Sequence, residues 1–230
     1  MHKTHRLTED KIRAIKIEII SAYDDLLIRA YSYIRFLIMN MRILEELEQY
    51  LPQKGIVLDV GCGFGLFSFF FTQCAQERTM IGVDIDANRI AMAKKVSDKL
   101  SLSHQIEFHV SDVAEYPFKD PVNAIVVLDL LHHVPEETAL RLLDTFHEIL
   151  QDNGVLIIKD ITAKPWWKMA FTWLLDKLMD FRAPLRYYTK DEMVARITER
   201  GFDVKVHRLI DILPYPHIMY ICRKILPQLD

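Results

Sequence analysis

The chain of 230 residues predicts an α/β fold: a mostly parallel sheet with helices on both faces. Three observations carry the prediction. Short apolar runs alternate with helix-like segments, a glycine cluster sits at the first run-to-helix junction, and an acid ends the next run. The first run, Ile56-Val57-Leu58-Asp59-Val60, reads as a buried strand. Further runs lie at Met80 to Val83, Ile106 to Val110, Ala124 to Leu128 and Val155 to Ile158. Between them, Leu66 to Ala75, Asn88 to Leu100 and Glu136 to Leu150 carry helical patterning. Asn153-Gly154 is a turn signal ahead of the fifth strand.

The flanks depart from this rhythm. Residues 8 to 50 read as helix, with Thr8 as N-cap, Glu9 and Asp10 in the first turn, and one break near Ser21 to Asp25. Pro52 and Gly55 end that segment. After the fifth strand, Pro165 to Phe181 is apolar and aromatic, with Trp166, Trp167, Phe171 and Trp173. Lys168, Thr172, Asp176 and Asp180 recur every four residues and form a polar stripe on a helix. Thr189 then caps a helix over Lys190 to Arg200, closed by Gly201, and two last strands lie near Phe202 to Arg208 and His217 to Cys222.

Composition narrows the function classes. Half the residues are hydrophobic and 27% are charged, which builds a packed core. A formal net charge of −3 lacks the basic excess of a general nucleic-acid binder, so no nucleic-acid partner is expected. Cys62, Cys74 and Cys222 are too widely spaced for a zinc site or a disulfide framework, and no metal is expected. Met1 to Arg6 has no apolar run behind it, unlike a signal peptide. Leu26 to Leu44 is interrupted by Arg29, Arg35 and Arg42, whereas a spanning helix needs about 20 mostly apolar residues. The expectation is a cytoplasmic monomer or homodimer. Contact with a membrane surface is the alternative use of its amphipathic stretches.

The chemistry concentrates after the first strand. Gly61-Cys62-Gly63-Phe64-Gly65 holds three of the seven glycines, where backbone must turn tightly or approach a ligand. Asp84 follows Gly63 by 21 residues, a layout that grips an adenosine ribose through its hydroxyls. The dinucleotide fingerprint would need a third glycine at position 66, which is leucine. Asp59 ahead of the loop would repel a pyrophosphate but attracts a ligand carrying ammonium or sulfonium. Both points favour S-adenosylmethionine over a nicotinamide cofactor.

These residues resemble the class I S-adenosylmethionine-dependent methyltransferases, over roughly residues 54 to 223. They are similar to the bacterial small-molecule enzymes of the ubiquinone and menaquinone type. Val57 to Gly65 resembles the first motif, Ile81 to Asp86 the second, Phe108 to Val113 the third, and Ala124 to His133 the fourth-strand motif. Gly154 to Asp160 is similar to the fifth strand. The resemblance implies a Rossmann-like sheet of order 3-2-1-4-5-7-6 with the last strand antiparallel. It implies cofactor contacts from Asp59, Gly61, Cys62, Gly63, Gly65, Asp84, Ile85, Asp112, Val113 and Leu128. Asp84 would bond the ribose, Asp112 the adenine amino group, and the backbone N–H of Val113 would face the ring. Asp86 is read as the cap of the next helix. Asn123 stands where the family often has an acid.

On the acceptor side, His132, His133 and Asp160 are the candidate catalytic residues, with a site-shaping role as the alternative for the histidines. Trp167, Phe171, Tyr187 and Tyr188 are the candidate pocket residues. The expected organisation is an N-terminal helical lid over 1–53, a methyltransferase domain over 54–223 with a helical cap at about 163–187, and a tail over 224–230. The implied reaction is in-line methyl transfer to oxygen or carbon of a small apolar or amphipathic acceptor: aryl, polyketide, isoprenoid or lipid-like. The alternatives are a protein or RNA methyltransferase and a cofactor-binding, non-catalytic partner protein.

Overall fold

The computed structural model describes residues 8–163, 185–208 and 216–226. Trp167 and Phe171, and with them most of the expected cap, lie outside the described residues. Seven strands form one sheet of order β3-β2-β1-β4-β5-β7-β6, the order that the resemblance implies. The chain groups into two compact units, Met1–Asp112 and Val113–Asp230.

The first unit opens with three helices: α1 (Glu9–Ala22), α2 (Leu26–Ile38) and α3 (Met41–Tyr50). Each starts at a side-chain cap. Thr8 accepts from Lys11 N, Asp25 from Leu27 N and Ile28 N, and Asn40 from Arg42 N and Ile43 N. The sequence shows only the first break. The second falls at Met39-Asn40, where apolar residues on both sides carry the periodicity straight through the cap. Strands β1 (Lys54–Val60), β2 (Glu77–Asp84) and β3 (Ile106–Val110) follow, interleaved with α4 (Leu66–Cys74) and α5 (Ala87–Lys99). All pairings here are parallel, with Asp59 opposite Gly82 and Asp84 opposite Val110. Asp86 accepts from Asn88 N and Arg89 N and so caps α5, as its position predicts.

A buried ion pair ties this unit together. Arg78 on β2 is fully buried and makes two 2.8 Å contacts with the Glu48 carboxylate on α3. The same guanidinium donates to the carbonyls of Pro52 and Phe71, so four of its five N–H donors are met by protein groups.

The second unit holds β4 (Val122–Leu128), α6 (Glu136–Ile149), β5 (Leu150–Ile161), α7 (Lys190–Thr198), β6 (Phe202–Arg208) and β7 (His217–Lys224). β4 and β5 are parallel, and β7 runs antiparallel to both β5 and β6. α7 starts with a reciprocal box in which Thr189 and Glu192 each bond the other's backbone N–H. One expectation is corrected. Asn153-Gly154 does not precede β5; it lies inside it. Val122 pairs with Leu150 and Ala124 with Val155, so four residues of β5 bulge opposite Asn123 alone. The Asn123 amide donates to Gln151 Oε1 at 2.7 Å and fastens the bulge.

Candidate functional site

In the first unit the site is built on the carboxyl ends of β1, β2 and β3, where open α/β sheets take their ligands. The loop Gly61–Gly65 leaves β1 through left-handed backbone: φ is +54° at Gly63 and +82° at Gly65. A side chain at Gly65 would also bring its Cβ to 2.8 Å from the Phe108 ring. A Cβ at Gly63 would meet nothing within 4 Å, so the loop is open on that side. The Gly63 N–H donates to Asp84 Oδ2 at 2.8 Å, and Asp86 N donates to Oδ1 at 2.9 Å. Asp84 is thereby fixed in orientation beside the loop.

Apolar surface lies next to it. Ile85 is 78% exposed and Val110 51% exposed, unusual for large side chains at strand ends. Asp112 closes this unit two residues beyond Val110. Sequence reading missed Val110 because it looks like one more strand residue; only its exposure marks it. It also missed the role of Gly82, where a Cβ would sit 2.6 Å from Phe108 and 3.0 Å from Cys62 Sγ.

Asp59 is buried at the root of the loop, with Oδ2 accepting from Ser68 Oγ at 2.5 Å. Burial pushes its carboxyl up to about 6, partly offset by the Ser68 hydroxyl and reinforced by the Asp84 charge. Burial, with Asp59 and Asp84 nearby, also pushes the Cys62 thiol well above its usual range, which leaves it a poor nucleophile. The N-terminal helices reach the same loop: the Tyr23 hydroxyl donates to Phe64 O at 2.7 Å, and Tyr31 meets the Phe64 ring edge-on at 5.5 Å.

In the second unit the polar groups come from β4, β5 and the turns beyond them. His132 lies in a single 3-10 turn, Leu131–His133, with its Nδ1 hydrogen-bonded to Asp160 Oδ1 near the end of β5. Both residues are buried. The pair leaves Asp160 Oδ2 without a hydrogen-bond partner among the described residues, and Tyr188 Oη is in the same condition. The chain returning at residue 185 passes over this place. Arg186 N donates to His132 O, Tyr187 stacks on the imidazole at 5.5 Å and 20°, and Tyr188 bridges to Thr162. His133 packs against His132 with ring centroids 4.0 Å apart. The structure thus brings together His132, His133, Asp160, Tyr187 and Tyr188. Leu128 ends β4, and Val113 is buried at the start of a 3-10 turn.

A second buried pair escaped sequence reading. Lys159 Nζ, fully buried, contacts Asp129 Oδ1 at 2.5 Å, and Asp129 takes a left-handed φ of 53° just after β4. The available signal was a lysine inside the apolar run of β5, which burial allows only with a partner. Among the described residues no cluster of three or more His, Cys, Asp or Glu side chains is placed to hold a metal.

Comparison with known proteins agrees with this geometry. Residues 57–154 match the methyltransferase domain model. A carboxy-S-adenosyl-L-methionine synthase of Helicobacter pylori is 30% identical over 139 residues, covering 59% of this chain and 56% of its own. A ubiquinone biosynthesis O-methyltransferase of Rhodopseudomonas palustris is 28% identical over 112 residues, covering 49% of this chain and 41% of its own. The chain spans about half the length of the curated relatives it matches. Among solved structures, an S-adenosylmethionine-dependent methyltransferase from Methanosarcina mazei aligns with a TM-score of 0.64 at 19% identity, covering 79% of this chain and 98% of that one. The magnesium protoporphyrin IX methyltransferase of Synechocystis, solved with bound S-adenosylhomocysteine, gives 0.61 at 20% identity over 80% of this chain and 82% of that one. These two likenesses show the fold. Residues 57–154 are therefore similar to a methyltransferase domain, and the strand order and the glycine loop agree with that likeness.

Proposed function

We propose that this protein transfers the methyl group of S-adenosylmethionine to an oxygen or carbon of a small apolar or amphipathic acceptor. The observation that carries the reading is the glycine loop held to Asp84 through the Gly63 N–H, open at Gly63 and flanked by the exposed Ile85 and Val110. The backbone of Gly61, Cys62, Gly63 and Gly65 would pass close to the amino-acid end of the cofactor, its shape fixed by N–H groups that already donate to Val83 O, Asp84 Oδ2 and Cys62 O. Asp84 would take the ribose hydroxyls. Ile85 and Val110 would face the adenine, with Asp112 at its edge. Asp59 contributes negative charge beneath the loop. S-adenosylmethionine supplies an electrophilic methyl group on a sulfonium whose departure leaves a neutral thioether.

The second unit supplies the acid–base groups in this reading. Asp160 fixes the tautomer of His132 by accepting from Nδ1 and stabilises the imidazolium once the ring takes a proton. His132 is then the base for a hydroxyl or carbon acid, worth about 10²–10⁴-fold in rate. Asp160 Oδ2 and Tyr188 Oη are buried polar atoms with hydrogen-bonding capacity to offer the acceptor's polar group. Tyr187 covers the imidazole and must swing aside to admit it. His133 shapes this surface rather than sharing the proton.

Calorimetric titration tests the reading, with S-adenosylmethionine, S-adenosylhomocysteine and NAD each added to the whole chain. The first two are expected to bind in the micromolar range and NAD not at all. NAD binding alone, or no binding to well-folded protein, would overturn it.

A further inference from the structure

The solvent face of α2 is apolar along its whole length. Leu26, Leu27, Tyr33, Ile34 and Leu37 are 75, 81, 63, 49 and 55% exposed. With Ala30 they make up every exposed position of the helix. At 100° per residue the six occupy an arc of about 120°. Ile28, Ser32 and Phe36 fill the buried side. Scattered exposed leucines are ordinary, but three turns whose only polar atom is the Tyr33 hydroxyl are not.

The charges around this face have one sign. From Leu26 to Leu44 the only charged residues are Arg29, Arg35 and Arg42. Arg29 lies about 40° beyond one edge of the apolar arc and Arg35 about 80° beyond the other, both half-buried. Arg29 Nε donates to Tyr23 O and its Nη2 to Ser21 O, while the Arg35 guanidinium lies 5.5 Å from the Phe67 ring centroid. The two acids just ahead of the helix are already engaged. Asp25 caps it, and Asp24 pairs with Lys99 at 2.6 Å.

We propose that this face of α2 rests on the surface of a bilayer containing anionic phospholipid. An apolar stripe flanked by arginines is the arrangement of a helix lying in the interface, apolar side in the acyl boundary and cations among the phosphates. Tyr33, with a polar tip on an apolar ring, suits that depth. Thirteen residues make a helix of about 20 Å, too short to cross, and no described helix is long and apolar enough to do so. A second copy of the chain fits less well. Two such faces brought together would set arginines against arginines, with no acid on either to pair them.

The test is co-sedimentation of the whole chain with vesicles of phosphatidylcholine alone or mixed equally with phosphatidylglycerol. Binding is expected on the mixed vesicles, weaker by about tenfold or more on phosphatidylcholine or in high salt. The double variant Leu27→Asp, Ile34→Asp is expected to lose binding by a similar factor while its melting temperature and its S-adenosylhomocysteine binding hold. Failure of the wild-type chain to bind mixed vesicles, or unchanged binding by the variant, would overturn the proposal. So would a dimer in light scattering that the variant abolishes, without vesicle binding, which assigns the face to a second copy.

Discussion

Asp84 of the first unit and the acids Asp129 and Asp160 of the second are held in different ways. For Asp84 backbone does the work: both its oxygens accept main-chain N–H groups, from Gly63 and Asp86, at 2.8 and 2.9 Å. Such a carboxylate is held by the loop itself and needs no side-chain partner. In the second unit, side chains pair with side chains: His132 with Asp160, and Lys159 with Asp129. There Asp160 Oδ2 and Tyr188 Oη remain unmatched among the described residues. A cradle made of backbone suits a ligand that is always the same. A buried cluster with hydrogen-bonding capacity left over suits proton transfer and a variable acceptor.

If that division holds, damage to each unit should read out differently. The largest effect is expected from His132→Ala. Turnover on a hydroxyl acceptor should fall about 10²–10⁴-fold, with S-adenosylhomocysteine affinity unchanged by calorimetry. Equal loss of affinity would make the His132–Asp160 pair a structural strut rather than an acid–base device.

Glu48→Ala strands the fully buried Arg78 and should cost about 3–5 kcal/mol of stability in urea melts. This sharpens the comparison from the other side, because Glu48 holds α3 to β2 and touches no proposed ligand contact. Its loss should lower the melting midpoint far more than it changes turnover by the folded fraction.

A smaller effect is expected at Asp59. Its carboxyl titrates near 6 when folded against an ordinary 3.8. Between those values the native state binds more protons than the unfolded state. Stability from this group therefore grows as pH falls through about 6 and is lost as pH rises through it. Asp59→Asn should gain on the wild-type chain by about 1–3 kcal/mol between pH 4 and pH 8. Urea melts at the two pH values read the difference, and a pH-independent difference would show that Asp59 stays ionised when buried.

What the sequence shows and hides follows from which forces are local. The strand–helix alternation and the glycine loop are legible because they reflect periodicity and backbone sterics within a few residues. Asp86 is legible as a cap for the same reason. The α2–α3 break is hidden because the cap, Asn40, sits between two methionines. Asn153-Gly154 does mark irregular backbone, but whether four residues turn or bulge depends on the partner strand. Glu48–Arg78 and Lys159–Asp129 join residues 30 apart in the chain, so only strand register and helix placement bring them together. The pairing of His132 with Asp160 is hidden likewise, though each residue stands out alone.

One paired measurement tests the division most directly: calorimetric titration of S-adenosylhomocysteine into Asp84→Asn and Asp160→Asn, alongside turnover of each. Asp84→Asn is expected to lose affinity by about 10–100-fold, since hydrogen bonds to a charged group are worth about 1.5–3 kcal/mol. Asp160→Asn is predicted to keep wild-type affinity and lose turnover. Affinity retained in Asp84→Asn, or lost equally in both variants, would contradict the division.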